Sequence, residues 1–512
     1  MRLNKSKSPL FAAIDCGTTS VKAAVVDQNG CLVASHLSSC PCSRRVSGAV
    51  ENDPRHIRRA VFSALRGAVG KTGARSSRIA AISVTGQRAT VFCLGADGEP
   101  VAPGLNWQDM RGARETALFE SRVGSARFTA LTGLPCNTVF TLGKWLYLRA
   151  HQPDLIRRTK RFALINDYIL GLLGARNPPV DWSSASLTGF FDTGRCRWSP
   201  AILTAAGLEV GKLPGLAPPG QRAGALSCAA AQAVGLTEGI PLITGAGDQQ
   251  CAGLGAGAIR PGVVEITIGT AAVPLAYSAR FRPDPRRRIM CCAHALPGSW
   301  NLEGLQNSAG SSVEWMKKVL GRKLMKQDVI WGTVARLPPG SGGVRFLPYM
   351  AGSAAPHWDK GATGAFLGLT LAHGPESLLR AVLEGVSFET RENIDTFTSL
   401  GVPVDDIRVT GGYTHISAWN SILAGVLGRS VSLLEEPQAS MMGAAILAAV
   451  GVGAYDSIEA AVSGMVRIKC RISPDPAQAA AYGRLFSEYR SLGGLFRNAG
   501  LFGSLDHGGG AA

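Results

Sequence analysis

Two β-branched runs, each ending in glycine and then in hydroxyl residues, constrain this chain more than anything else in it. The first is Ala12-Ala-Ile-Asp15-Cys-Gly17-Thr18-Thr19-Ser20-Val-Lys22, and the second, far downstream, is Val264-Glu-Ile-Thr-Ile268-Gly269-Thr270-Ala271-Ala272. Each spells a strand running into a tight turn whose backbone N–H groups can point at an anion. Two such turns can grip one polyphosphate from opposite sides. Asp15 in the first turn would repel a bare phosphate, so its presence makes sense if a magnesium ion lies between them. The pair points to nucleotide handling.

A chain of 512 residues suits two large domains or three smaller ones. With 46% hydrophobic and 17% charged residues and 63 glycines it has the make-up of a globular protein with many close-packed turns. The 53 Lys+Arg against 36 Asp+Glu leave +17, which raises the question of nucleic acid. The basic clusters, such as Arg157-Arg158-Thr-Lys160-Arg161 and Arg286-Arg287-Arg288, have no nucleic-acid module or interleaved aromatics around them. A solvated basic surface that helps steer anionic ligands is the better reading, with no specific nucleic-acid partner. Twelve cysteines at irregular positions, among them Cys40/Cys42 and Cys291/Cys292, lack zinc or redox spacing and read as reduced, cytoplasmic thiols. The basic Met1–Lys7 segment is followed by an apolar stretch that Asp15 breaks before an export signal forms. The longest apolar run, Met441–Tyr455, is too short and too rich in small residues for a membrane span and reads as a buried, closely packed helix.

Along the chain, Asn29-Gly30 between two apolar runs predicts a hairpin. Asp53 to about Val69, with Ile57, Ala60, Val61, Ala64 and Leu65 on one side, predicts a helix, and Ile79–Val84 a strand. Val139–His151 and Asn166–Leu173 read as helices, and Pro241–Gly245 as a short strand running into Gly247-Asp248-Gln249. A second half repeats the first: strand Val263–Ile268, helix Glu376–Leu400, strand Ile407–Thr410 ending in Gly411-Gly412, and a helix from Ser417. This predicts duplicated α/β domains with a connector near Gly257–Gly262. The expected division is 10–258, 259–492 and a flexible tail 493–512 ending in Gly508–Ala512.

The ordered set Asp15-x-Gly17-Thr18-Thr19, Gly247-Asp248-Gln249, Gly269-Thr270 and Gly411-Gly412 resembles the FGGY carbohydrate kinases of the actin/hexokinase-like ATPase superfamily. Gly364–Leu369 followed by Arg380-Ala-Val-Leu-Glu384-Gly385 resembles that family's C-terminal signature, with Ser377 standing where an acidic or amide residue is usual. The resemblance implies an α/β fold of two ribonuclease-H-like domains around a central cleft. It also implies ATP as co-substrate, Mg2+, and a small sugar or polyol as acceptor, with a homodimer as one open assembly.

By the same resemblance Asp248 is the catalytic base, the alternative being a helix cap. Asp15 is the magnesium ligand, against a turn-forming aspartate. Thr18, Thr19 and Thr270, with Gly17 and Gly269, would hold phosphate, while Lys22 is either a nearby charge or a solvated strand residue. Gly411-Gly412 would let backbone approach the adenine or ribose, and Asn420 would line that pocket. Sugar recognition falls to Gln87, Arg88, Trp107, Asp109, Asp248 and Gln249; Trp107 is also readable as a core residue, and Asp109 with Arg111 as an internal ion pair.

Within the family the substrate signals divide. Gln87-Arg88 and Gly247-Asp248-Gln249-Gln250 resemble glycerol kinases, but Ala89 stands where those have a substrate-binding Glu. Gln87-Arg88-Ala89-Thr90 replaces the Gln-Met-His-Gly of xylulokinases, although Phe346-Leu-Pro-Tyr349 and Arg380–Gly385 look closer to that subgroup. Pro356-His357 fits it too, with Ser353-Ala354 in place of a Glu-Arg pair. The expected activity is ATP-dependent phosphorylation of a primary hydroxyl, xylulokinase-like. Glycerol or another polyol or deoxysugar is the alternative within the family, and a non-catalytic nucleotide-binding regulator the alternative outside it.

Overall fold

The computed structural model describes residues 8–45, 48–321 and 328–504. The basic Met1–Lys7 segment and the Gly508–Ala512 end lie outside them. The chain opens with three strands, β1 (Leu10–Cys16), β2 (Ser20–Asp27) and β3 (Leu32–Ser39), then α1 (Pro54–Thr72) and β4 (Ile79–Gly86). Further along come α2 (Thr141–His151), α3 (Ile165–Leu173), the short α4 (Trp182–Ser186), β5 (Arg222–Ala225), β6 (Pro241–Gly247) and α5 (Asp248–Gly255). Next are β7 (Gly262–Ile268), β8 (Ala272–Ser278), α6 (Gly310–Leu320), α7 (Pro375–Ser399), β9 (Val404–Thr410), α8 (Ser417–Leu427) and β10 (Val431–Leu434). After these come α9 (Ala439–Gly451), β11 (Ile468–Ile472), α10 (Pro476–Asn498) and the short α11 (Leu501–Ser504), so the segment after Leu492 begins inside a helix.

These elements form two compact units. The first comprises the chain up to Arg260, Tyr277–Asn301 and Gln438–Arg467; the second comprises Pro261–Ala276, Leu302–Pro437 and the chain from Ile468 on. Helix α9 is therefore part of the first unit despite its late place in sequence.

In the first unit six strands run in the order β5-β6-β4-β1-β2-β3. β6, β4 and β1 are mutually parallel, while β2, β3 and β5 are antiparallel to their neighbours. The period of two along β1 sends Leu10, Ala12 and Ile14 to one face and Phe11 and Ala13 to the other. On the first face they meet Ile57, Ala60, Val61, Ala64 and Leu65 of α1. On the second they meet Met441, Met442, Ala445 and Ile446 of α9. Both faces are covered, which is why β1 reads as a continuous apolar run. α1 starts where its sequence says it should: the Asp53 side chain accepts from the Arg55 amide at 2.8 Å and Pro54 occupies the first turn. The Asn29-Gly30 hairpin forms, with Gly30 at φ 81° but Asn29 outside the positive-φ region, so it closes through a three-residue loop in which the Gly30 amide donates to the Asp27 carbonyl at 3.0 Å.

The second unit repeats the plan in a run of five strands. β8 is antiparallel to β7, β7, β9 and β10 are parallel, and β11 closes the edge antiparallel. Three parallel strands with a hairpin on one side and an antiparallel strand on the other is thus built twice, which is the duplication the strand pattern predicts. The long helix α7 carries the buried part of the signature segment. Arg380 donates to Glu384 at 2.9 Å, to the Tyr482 hydroxyl at 2.7 Å and to the Val334 carbonyl at 2.7 Å. Glu384 also accepts from the Gly340 amide and the Ser341 hydroxyl. A buried charge pair persists only when its remaining hydrogen-bond capacity is met, and this one has it met. Among the described residues no helix is long and apolar enough to cross a membrane.

Candidate functional site

In the first unit the register sets Cys16 beside Gly86 and Gly86 beside Gly247. The three parallel strands therefore end level with one another. The residues at or just past their carboxyl ends, Asp15 to Thr19, Gln87-Arg88 and Asp248-Gln249, lie along one sheet edge, where open α/β sheets expose their ligand-binding groups. Glycine is required at this edge for close approach: a Cβ on Gly86 would sit 2.8 Å from the Cys16 carbonyl oxygen, and one on Gly247 would overlap the Arg88 side chain.

Asp15 shares the α9 face of β1, opposite Lys22 across the β1–β2 ladder. Its carboxylate accepts from the Ser440 hydroxyl at 2.7 Å, and Lys22 donates to the Gln438 side chain at 2.7 Å. Burial pushes the Asp15 carboxyl above its usual range, opposed by the Ser440 hydrogen bond and the Lys22 charge. The Gly17 amide turns back onto the Ser20 carbonyl at 3.0 Å, closing the turn, with Gly17 and Thr18 half-buried and Thr19 exposed. Thr18 accepts from the Trp107 indole at 3.1 Å, which ties this turn to the Trp107–Arg111 segment. That segment is fastened from below by Lys144 of α2, a fully buried lysine whose ammonium donates to the carbonyls of Trp107, Thr138 and Val139, each at 2.8 Å.

Asp248 is the first residue of α5, with Gly247 in the cap position, and its carboxylate accepts from the next amide, Gln249, at 2.9 Å. Arg88 lies 3.9 Å from it; its side chain is 4% exposed against 29% for Asp248, so the carboxylate reaches outward over a buried cation. Gln87 accepts from Asn106 at 3.1 Å and is buried. The Asp109 carboxylate is taken by the Val50 amide at 3.1 Å and by Arg111, which also reaches Glu51 at 2.8 Å and stacks over Tyr147. Of the two readings of Asp109 and Arg111, the internal ion pair is present.

The second unit carries the other strand-to-glycine turns, also level, since Thr267 pairs with Thr410 across parallel β7 and β9. The amides of Ala309 and Ser311 donate to the Thr270 carbonyl and that of Gly310 to the Gly269 carbonyl, so the start of α6 is anchored on this turn. Thr270 itself is exposed. Gly411 adopts φ 92°, where a side chain would overlap the Ile268 carbonyl, whereas nothing lies near a Cβ on Gly412. Asn420 is buried and donates to the Thr414 carbonyl at 2.7 Å, holding the Gly411–Thr414 turn. Tyr413 stands beside it, its ring edge-on to Trp419 and within overlap distance of any Cβ on Gly310.

Residues that sequence reasoning passed over gather at both edges: Gln438, Ser440 and Lys144 in the first unit, Gly310 and Tyr413 in the second. Lys144 had a signal, a lysine inside an apolar helix pattern next to Trp145. Ser440 had none, because it meets Asp15 across 425 positions of sequence.

Residues 10–255 match the model of the N-terminal domain of the FGGY family of carbohydrate kinases, and residues 265–452 that of its C-terminal domain. A xylulose kinase of Escherichia coli is 30% identical over 82% of this chain and 86% of its own length. A glycerol kinase of Gloeobacter violaceus is 31% identical over 87% and 89%. The crystal structure of a xylulose kinase from Rhodospirillum rubrum superposes with a TM-score of 0.86 at 30% identity, covering 96% of this chain and 99% of its own.

Proposed function

Since this chain belongs to the FGGY family of carbohydrate kinases, we propose that it transfers the γ-phosphoryl group of ATP to a primary hydroxyl of a ketopentose of the xylulose type. The observation that supports it most is the level ending of β1, β4 and β6, which brings Asp15, Arg88 and Asp248 to one edge. Asp248 accepts the proton of the acceptor hydroxyl as its oxygen bonds to the γ-phosphorus and the bond to the β-phosphate oxygen breaks. Arg88 below it places a positive charge 3.9 Å from the carboxylate and helps to orient it. The hydroxyls of Thr18 and Thr19 donate to phosphate oxygens, as does that of Thr270, with Gly17 and Gly269 turning the chain so that phosphate can approach and Lys22 adding charge. Gly411, Gly412 and Asn420 shape the seat of the nucleoside. Gln87, Arg88, Trp107 and Gln249 face the acceptor, while Asp109 acts through the segment that Arg111 locks.

Among the described residues no three His, Cys, Asp or Glu side chains gather in a metal-binding group. One desolvated carboxylate, Asp15, instead fits an ion that arrives on the nucleotide, the usual habit of Mg2+. Bound there, Mg2+ would neutralise phosphate charge, and Asp15 would hold it through water. Xylulose ranks first because relatives named for it span nearly the whole chain; Ala89, in place of a carboxylate, counts against glycerol. The irregular cysteines support a cytoplasmic setting.

A panel of ketoses, aldoses and polyols with ATP and Mg2+, followed by ADP release, tests the reading. We expect the fastest release with D-xylulose and loss of at least 1,000-fold in Asp248→Asn with nucleotide binding kept, on the order of a removed general base with its charge. No sugar-dependent ADP from any acceptor would overturn the assignment.

A further inference from the structure

Strand β6 does not run evenly into Asp248. Thr244 pairs with Val84 and Gly247 with Gly86, so β6 takes three steps where β4 takes two, and the extra residue makes a β-bulge just before the carboxylate. Glycine is needed in it: a Cβ on Gly245 would overlap the Val84 carbonyl. A bulge re-aims the chain that follows and frees backbone groups from the ladder. Here the freed groups are gripped by side chains from α3 and α4. Asn166 donates to the Ala246 carbonyl at 3.0 Å, and the Gly247 amide donates to the Ser183 hydroxyl at 2.8 Å.

Both side chains are oriented by one carboxylate. Ser183 donates its only hydrogen to Asp181, Asn166 donates to the other Asp181 oxygen at 3.3 Å, and the Ser184 amide donates to the first at 2.9 Å. Asn166 and Asp181 are 2% exposed and Ser183 not at all. With its hydrogen given to Asp181, Ser183 has only lone pairs for the Gly247 amide, and Asn166, donating to Asp181, also presents an amide hydrogen to the Ala246 carbonyl. The polarity of the whole relay is fixed from Asp181 outward, and a buried network of this kind rigidifies what it holds.

We propose that Asp181, Ser183 and Asn166 are positioning residues for Asp248: they hold the bulge that aims its carboxylate. The proposal rests on the reading of Asp248 as the base. The experiment is a double-mutant cycle with the acceptor that releases most ADP, measured for Ser183→Ala, Asp248→Asn and the pair, with Asp181→Asn as a second variant should Ser183→Ala fail to fold. We expect Ser183→Ala to lower kcat about tenfold while KM for acceptor and ATP stays within about threefold. In the Asp248→Asn background the same change should lower the residual rate by less than twofold, because the group it positions is gone. An unchanged kcat, or the same tenfold fall with and without Asp248, overturns the positioning role. Wild-type turnover in Asp248→Asn alone overturns the reading beneath it, whatever Ser183 does.

Discussion

Arg111 shows how a residue beside a site can belong to its frame. It spends its guanidinium on Asp109 at 2.7 Å, on Glu51 at 2.8 Å and on the face of Tyr147, while Asp109 is 2% exposed. Removing one partner of such a pair leaves the other charge buried and unpaired, so Arg111→Ala should lose about 3 kcal/mol, read in denaturant unfolding. An effect below about 1 kcal/mol would mean that Asp109 finds solvent instead. Trp107 is different, since its indole N–H reaches Thr18 in the phosphate turn. Trp107→Phe keeps most of the apolar face and loses that donor; we expect KM for ATP to rise about threefold to tenfold, on the scale of one hydrogen bond. Asp15 and Asp248 were legible as candidates because each stands at the carboxyl end of a strand within two residues of a glycine. Ser440 and Ser183 were not, because a hydroxyl in a helix carries no sign of which distant carboxylate or amide it will meet, and Asp181 was not, because its part is set only through Ser183 and Asn166.

At the scale of elements, α1, the Asn29-Gly30 hairpin and the strand before each glycine turn were written locally, in periodicity, caps and turn residues. The buried fate of Met441–Tyr455 was legible from its small residues, and helix α9 covers the first part of that run. Its place in the first unit was not, since packing on a sheet formed more than four hundred positions earlier leaves no local trace. The small residues have a specific use. A Cβ on Gly443 of α9 would overlap the Cys251 carbonyl of α5, and one on Gly255 of α5 the Ala439 carbonyl of α9, so each helix presents a glycine to the other's backbone. Backbone cannot step aside as a side chain can, and overpacking of this kind costs roughly 1–3 kcal/mol or more. Gly443→Ala should therefore lower Tm by about 2 °C or more, since about 2–4 °C per kcal/mol is the scale for 150–250 residues and this unit is larger. It should also raise the Mg2+ concentration needed for activity, because the same helix brings Ser440 to Asp15 and follows Gln438 on Lys22. An alanine variant with the wild-type melting curve would show that the helices part easily.

For the molecule as a whole, the buried carboxyls of the second unit set how stability follows pH. Glu265 lies in β7, fully buried, and accepts from Thr267 at 2.6 Å and Thr410 at 2.5 Å. Burial pushes its carboxyl up to about 8, against the pull of those two hydroxyls. Glu389 in α7, also buried and near Glu392, is pushed well above its usual range by desolvation and then by that neighbour. A folded carboxyl that keeps its proton while the unfolded one sheds it near 4.5 makes folding a proton-uptake step. Its contribution is complete below pH 4.5 and is lost as pH rises through the folded value, at up to about 1.4 kcal/mol per pH unit and group. Net charge works the other way at the acid end, since protonating the remaining carboxylates adds to an excess that is already +17 and strengthens self-repulsion. The two effects separate in a variant. Glu265→Gln keeps an oxygen that accepts from both threonines and removes the proton, so its stability relative to wild type should climb from pH 5 to pH 8 and level off above that. Denaturant unfolding of the two proteins at four pH values gives the difference directly, and parallel curves would place the Glu265 proton outside the folding equilibrium. Because Thr267 and Thr410 lie one or two residues ahead of Gly269 and Gly411, the same titration reaches the glycine turns, and nucleotide affinity in wild type should weaken above pH 8 while that of Glu265→Gln holds level.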